Sequence, residues 1–180
     1  MSAVDVLLAE HRMIARMVSV IETVAARLDA GDEVPARVLV DVMDFSEHFT
    51  SNCHHAKEEH HLFPILAKHG MGPDSSPIAA FREQHEANHA YLREMHLALT
   101  RVRASDPDGP RSFAASARDY ARLLREHMRI EDHYFQDVAA ILSPEEEETL
   151  QGRMAAIDQS CARDRYARML DEHEELIARW

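Results

Sequence analysis

The sequence contains little cysteine, little glycine and no long apolar run. Only 2 cysteines, Cys53 and Cys161, occur in 180 residues, and both fall in segments with helical patterning. We therefore expect no disulfide framework and favour a reducing compartment. The 5 glycines are few for a sandwich or a barrel, and together with an apolar fraction of 46% they favour a helical protein. Because no uncharged run could cross a bilayer and the N-terminus lacks a secretory apolar core, we expect a cytoplasmic protein.

Positive charge is also scarce in this chain. The sequence has 20 lysine and arginine residues against 32 aspartate and glutamate residues, which gives a net charge of −12 when the histidines are neutral. Recognition of phosphate groups requires a basic surface, so this composition argues against nucleic acid and anionic membranes as partners.

Histidine, in contrast, is abundant, with 13 residues. Residues 54–61 concentrate four histidines and two glutamates, and the sequence turns apolar directly after them. On a helix, His54 and Glu58 share one face, and His55 and Glu59 share another. An imidazole and a carboxylate one turn apart can hold one metal ion, whereas the alternative interpretation is a solvated charged face.

Four segments of the chain have the apolar periodicity of helices and are separated by turn-rich breaks. They cover residues 4–30, 35–68, 77–103 and 111–142. A fifth helix is expected to begin at Ser143 and Pro144 and to continue to Trp180. These segments predict an all-α, antiparallel up-down four-helix bundle in residues 1–142, and an additional C-terminal helix in residues 143–180 that packs on the bundle.

Every one of the four long segments carries candidate metal ligands. The candidates are His11, then either His54 with Glu58 or His55 with Glu59, then His85 with His89, and finally His127 with Glu131. A single histidine on an apolar face is more often a core residue than a ligand, so His11 alone indicates little. Two stacked imidazoles or a glutamate within an apolar stripe, however, are costly to bury without partners. One contribution from each helix predicts a metal site inside the bundle, but periodicity does not decide between the two pairs of the second segment.

Four short motifs in residues 4–142 resemble those of the hemerythrin-like (HHE cation-binding) family. They are Ala9-Glu10-His11, the run His54-His55-Ala56-Lys57-Glu58-Glu59 that leads to Leu62-Phe63-Pro64, Glu83-Gln84-His85-Glu86, and Arg125-Glu126-His127 followed by Glu131-Asp132. The second motif is specific, and the others support it mainly through their order. In that family, the histidine ten residues before the proline and the glutamate four residues after this histidine are ligands. The resemblance therefore selects His54 and Glu58 and makes His55 and Glu59 neighbours, although it does not exclude an adjacent extra ligand.

The resemblance also implies the metal and its chemistry. It implies two iron ions, bridged by an oxo or hydroxo group and by two carboxylates, with zinc or manganese as substitutes. Five imidazoles, two bridging carboxylates and the oxo or hydroxo bridge would fill all but one of the twelve coordination positions and leave that one open for O₂, NO or peroxide. In the fourth helix, Asp132 stands five residues after His127, where oxygen-carrying hemerythrins have an aspartate. The apolar stripe favours Glu131 instead.

Several functions are compatible with such a centre. One is binding or sensing of O₂ or NO, a second is an enzyme acting on peroxide or NO, and a third is an iron-handling or iron-sensing protein without redox turnover. A homodimer or a separate signalling protein is a further partner to consider. A ferritin-like di-iron protein is the nearest rival, because Glu58 with His61 and Glu86 with His89 have its Glu-x2-His spacing. That fold places the two motifs on helices two and four, however, whereas here they fall on helices two and three.

Overall fold

The computed structural model describes residues 1–180, and all of its regular elements are helical. The first bundle helix is α1 (Ala3–Asp29). The second is a continuous rod made of α2 (Ala36–Asp44), the π-helical segments π1 (Phe45–His55) and π2 (Glu58–Leu62), and α3 (Phe63–Lys68). The remaining elements are α4 (Ile78–Arg103), α5 (Gly109–Ile141), α6 (Pro144–Asp158) and α7 (Arg163–Ile177). The all-α prediction is confirmed.

The four long helical rods form an antiparallel bundle. Contacts between α1 and α5 run in opposite directions along the two helices, from His11 with Asp132 near one end to Asp29 with Arg118 near the other. The same reversal relates α4 to α5, because Gln84 contacts His127 while Arg101 contacts Ser112. The predicted bundle topology is therefore present.

The core of the bundle is divided by a layer of polar side chains. A large cluster of 29 buried residues fills one end, and a cluster of 13 fills the other. Each rod passes from one cluster to the other through its candidate ligands: His11 lies between Leu7 and Ile14 on α1, and His85 lies between Phe81 and Leu92 on α4. The apolar clusters on both sides fix the level at which the polar side chains meet.

The second rod is π-helical over much of its length, which the sequence pattern did not indicate. In π2 the N–H of Phe63 donates to the carbonyl of Glu58, five residues earlier. Pro64 follows and has no N–H to give to the carbonyl four residues before it, so the wider spacing is compatible with the Leu-Phe-Pro sequence. A π-helical turn contains more residues than an α-helical turn. Apolar positions that look misaligned on an α-helix can therefore face the same core.

The C-terminal segment packs on the bundle as two helices rather than one. Ser143 caps the first of them, α6, through a hydrogen bond from the N–H of Glu146. Glu147 of α6 accepts a hydrogen bond of 2.6 Å from the N–H of Ala3, the first residue of α1. The break before α7 contains Ala162, whose φ of +47° places it in the left-handed region. No helix of the chain combines the length and the apolar composition needed to span a membrane.

The sequence was not expected to carry a disulfide framework, but its two cysteines, Cys53 and Cys161, form a disulfide bond in the structure. Cys53 lies in π1, directly before His54, and Cys161 lies in the break between α6 and α7. Because 108 residues separate them in sequence, no local pattern could have indicated the pair.

Candidate metal centre

Two groups of buried side chains in the polar layer could each hold a metal ion. The first group is His55, Glu58, His85 and His127, and the second is His11, His54, Glu58 and Glu131. Within each group, the potential ligand atoms all lie within 4.8 Å of one another. Glu58 belongs to both groups, so the two candidate sites adjoin and share a carboxylate.

The two carboxylates lie between imidazoles that come from different helices. One oxygen of Glu58 is 3.4 Å from Nε2 of His54, and the other oxygen is 3.4 Å from Nε2 of His85. A single oxygen of Glu131 is 3.3 Å from Nε2 of His11 and 3.0 Å from Nε2 of His127. Each carboxylate thus connects one histidine of the first group with one of the second, which is the arrangement that a bridging ligand requires.

Many polar atoms of this layer are buried without a hydrogen-bond partner. They are both carboxylate oxygens of Glu58 and of Glu131, both ring nitrogens of His55, and Nε2 of His11 and of His54. Burying such groups unpaired costs free energy, and native cores rarely tolerate more than a few of them. Their convergence on one level of the bundle fits a set of metal ligands, because coordination to a cation would satisfy all of them together.

Four of the histidines are oriented by hydrogen bonds at their other ring nitrogen, Nδ1. The pairs are His11 with Asp132 at 2.6 Å, His54 with Glu10 at 3.1 Å, His85 with Glu59 at 2.7 Å and His127 with Gln84 at 2.9 Å. Each partner is an oxygen acceptor, so it selects the tautomer that carries the proton on Nδ1 and leaves the lone pair on Nε2. This outer hydrogen bond is the usual support of a metal-binding histidine.

Carboxylates around the cluster also change the pKa of several groups. Burial alone would lower the pKa of His11, but the hydrogen bond with Asp132 and the nearby carboxylate of Glu131 raise it to about 10. Burial likewise opposes protonation of His85, and its contacts with Glu58 and Glu59 raise the pKa of this imidazole to about 9. Burial would raise the pKa of Glu131, and the imidazoles of His127 and His11 lower it instead. The excess negative charge attracts protons in the metal-free protein and would attract a metal cation in the same way.

His55 differs from the other four histidines of the cluster. Its ring stacks on that of His85 with centroids 3.9 Å apart, and neither of its nitrogens has a hydrogen-bond partner. Burial and the nearby imidazoles of His85 and His127 lower the pKa of His55 well below the ordinary value. The ring is therefore neutral at physiological pH and can offer a lone pair to a metal ion.

The structure brings together all but one of the ligands that the sequence predicted. The residues that meet are His11, His54, Glu58, His85, His127 and Glu131. His89 lies outside both groups, half-buried beside a surface groove that also reaches His55. Glu59 and Asp132, the alternatives to Glu58 and Glu131, hold the outer nitrogens of His85 and His11.

Sequence analysis left one residue of this site undecided and missed two others. His55 was an alternative to His54, and the family resemblance made it a neighbour without excluding it as an extra ligand, whereas the structure places it in the cluster. Glu10 and Gln84 stand directly before His11 and His85, but each supports a histidine on another helix, namely His54 and His127. No local spacing could reveal these contacts.

Comparison with known proteins agrees with this geometry. Residues 2–139 match the model of the family described as "Hemerythrin HHE cation binding domain". The chain is also 26% identical over 131 residues to "Uncharacterized protein Rv1995" and "Uncharacterized protein MT2051" of two Mycobacterium tuberculosis strains, and to "Uncharacterized protein Mb2018" of Mycobacterium bovis. Each alignment covers 73% of this chain and 51% of the relative, so the chain spans about half the length of the curated relatives that it matches. No solved structure matches significantly.

Proposed function

Because the chain belongs to the hemerythrin HHE cation-binding family, we propose that it holds two iron ions and that this pair binds a small ligand such as O₂, NO or peroxide. The observation that carries the proposal is the convergence of unpartnered buried imidazole and carboxylate atoms in two adjoining groups. This donor set suits iron, manganese and zinc, and iron is the choice that the family favours.

The geometry supports a specific division of the ligands between the two ions. One ion would be held by His11, His54 and the two carboxylates, and the other by His55, His85 and His127 with the same carboxylates. The total is five imidazoles and two carboxylates, as the family resemblance implies, with His55 in the place for which the sequence suggested His89.

The side chains around the cluster prepare it for this role. The acceptors on Nδ1 hold four imidazoles in position, so little reorganisation is needed when a cation enters. The apolar clusters on both sides exclude bulk water from the layer. An iron pair bound there would supply the redox-active, ligand-binding chemistry. The groove lined by Asn52, Ala56 and His89 reaches the edge of the cluster at His55 and offers a route for a small molecule.

Optical spectroscopy of the iron-loaded protein tests the proposed function. The protein is loaded with iron(II) in the absence of oxygen and then exposed to air. We expect it to absorb in the near-ultraviolet, and we expect added azide to shift these absorption bands until the effect saturates with azide concentration. The zinc-loaded protein is the matched control and should show no azide-dependent band. If the protein binds two irons tightly but neither azide nor NO changes its spectrum, this result would contradict small-ligand binding. It would favour the alternative, an iron-handling protein.

A further inference from the structure

Lys57 is a buried cation on the second rod that the proposed metal chemistry does not use. Its side chain is fully buried, and its ammonium group contacts the carboxylates of Glu10 and Asp158, the latter at 2.5 Å. Glu10 comes from α1, and Asp158 is the last residue of α6. A buried charge of this kind is tolerated only with partners, and here one partner comes from the bundle and one from the C-terminal segment.

Glu10 connects this ion pair to the metal centre. One of its oxygens contacts Lys57, and the other accepts a hydrogen bond from Nδ1 of His54 at 3.1 Å. Asp158 is therefore connected to His54 by consecutive side-chain contacts through Lys57 and Glu10. Lys57 thus contacts the same carboxylate that holds the His54 ring.

The α6–α7 junction makes two further contacts on the same side of the bundle. The disulfide joins Cys161 to Cys53, the residue before His54. A guanidinium nitrogen of Arg163 lies 4.0 Å from the Glu10 oxygen that contacts Lys57. Three residues of one short junction thus meet the part of the bundle that carries His54, and all of them lie beyond residues 2–139, which match the family.

We infer that Asp158 is a positioning residue for the metal centre: through Lys57 and Glu10 it fixes the His54 imidazole, so the C-terminal segment controls how firmly one of the two ions is held. This inference rests on the proposed function. Asp158 does not touch the metal ligands and acts only through the two side chains between.

Loss of the Asp158 charge should weaken the contact between residue 158 and Lys57. With Asp158→Asn, the Lys57 ammonium loses one of its two anionic partners, and the geometry in which it holds Glu10 relaxes. Loss of an outer hydrogen-bond partner typically reduces metal affinity by about 10–100-fold. We expect an effect near the lower end, about 10-fold, on the ion bound by His54 and little effect on the other ion.

The test measures iron release into a chelator for the disulfide-bonded protein of residues 1–180. Wild type should release its two ions in two phases, and Asp158→Asn should accelerate one phase about 10-fold and alter the azide-dependent spectrum. Asp158→Glu, which restores the carboxylate, should recover most of the wild-type rate. Arg165→Gln is the matched control. Arg165 of α7 also forms an ion pair with the bundle, since its guanidinium lies 2.6 Å from the carboxylate of Asp44, and this pair does not involve the metal ligands.

The outcomes separate the inference from the proposed function. A wild-type protein that does not load two ions would contradict the proposed function itself. A wild type that loads two ions, with Asp158→Asn releasing them at the rate of Arg165→Gln, would overturn the inference alone. Far-UV circular dichroism verifies that Asp158→Asn is folded. If Asp158→Asn does not fold, Arg163→Gln replaces it in the test. Arg163 is the second cation near Glu10, so its loss should accelerate the same phase of iron release by a smaller factor. An unchanged release rate would overturn the inference.

Discussion

Replacing Glu58 by glutamine is expected to abolish tight binding of both metal ions. Glu58 belongs to both ligand groups, and its two oxygens face His54 and His85 separately. A neutral amide is a poor bridging ligand, so each site loses a donor and the charge that balances the adjoining cation. Metal analysis after gel filtration should find two ions in wild type and less than one in Glu58→Gln.

The same substitution should lower stability much more in the metal-bound protein than in the metal-free protein. At a metal concentration 1,000 times the dissociation constant, a bound ion adds about 4 kcal/mol to the free energy of unfolding. Loss of this contribution for both ions, about 8 kcal/mol, corresponds to a fall of about 20 °C in the unfolding temperature of a chain of this size. In the metal-free protein, glutamine removes only the attraction between the Glu58 carboxylate and the His85 imidazole, whose pKa the carboxylate helps to raise to about 9, so the unfolding temperature should fall much less.

Glu59→Gln is the matched control for Glu58→Gln. Glu59 is the next residue in sequence, but its side chain is 35% exposed and contacts only the outer nitrogen of His85. It should keep two ions, with one of them bound about 10-fold more weakly. Equal metal loss in the two variants would contradict the assignment of Glu58 as the shared ligand.

His55→Ala and His89→Ala are expected to differ sharply in metal binding. His55 lies in the group with His85 and His127, whereas His89 lies outside both groups. His55→Ala should weaken one ion by more than about 100-fold, since losing even an outer partner can cost that much, and His89→Ala should retain both ions. Competition with a chelator of known affinity measures the difference. Retention of both ions by His55→Ala and loss of one by His89→Ala would instead support the ligand set suggested by sequence.

The difference between His55 and His89 shows where sequence periodicity failed. On a regular α-helix, His54 and His55 point in directions about 100° apart, and the apolar pattern left open which of them faces the core. The second rod is π-helical through His55 and again from Glu58, and both imidazoles enter the cluster. Apolar periodicity assumes one helical period, so it could not detect this change.

Other parts of the site followed directly from local pattern. Glu131 interrupts an apolar stripe on α5, and that placement distinguished it from Asp132, which lies half-exposed against His11. The presence of candidate ligands on each of the four long segments predicted a metal site inside the bundle. In contrast, Glu10, Gln84 and Asp158 contribute through contacts between helices that are distant in sequence, and only the folded structure reveals these.

The most direct test of the central claim is the metal content of the wild-type protein after anaerobic loading with iron(II) and removal of loosely bound metal. Elemental analysis against protein concentration should give about two irons per chain, and Mössbauer spectra after oxidation should show an antiferromagnetically coupled ferric pair. One iron per chain, or two irons without magnetic coupling, would contradict a shared centre built on Glu58 and Glu131.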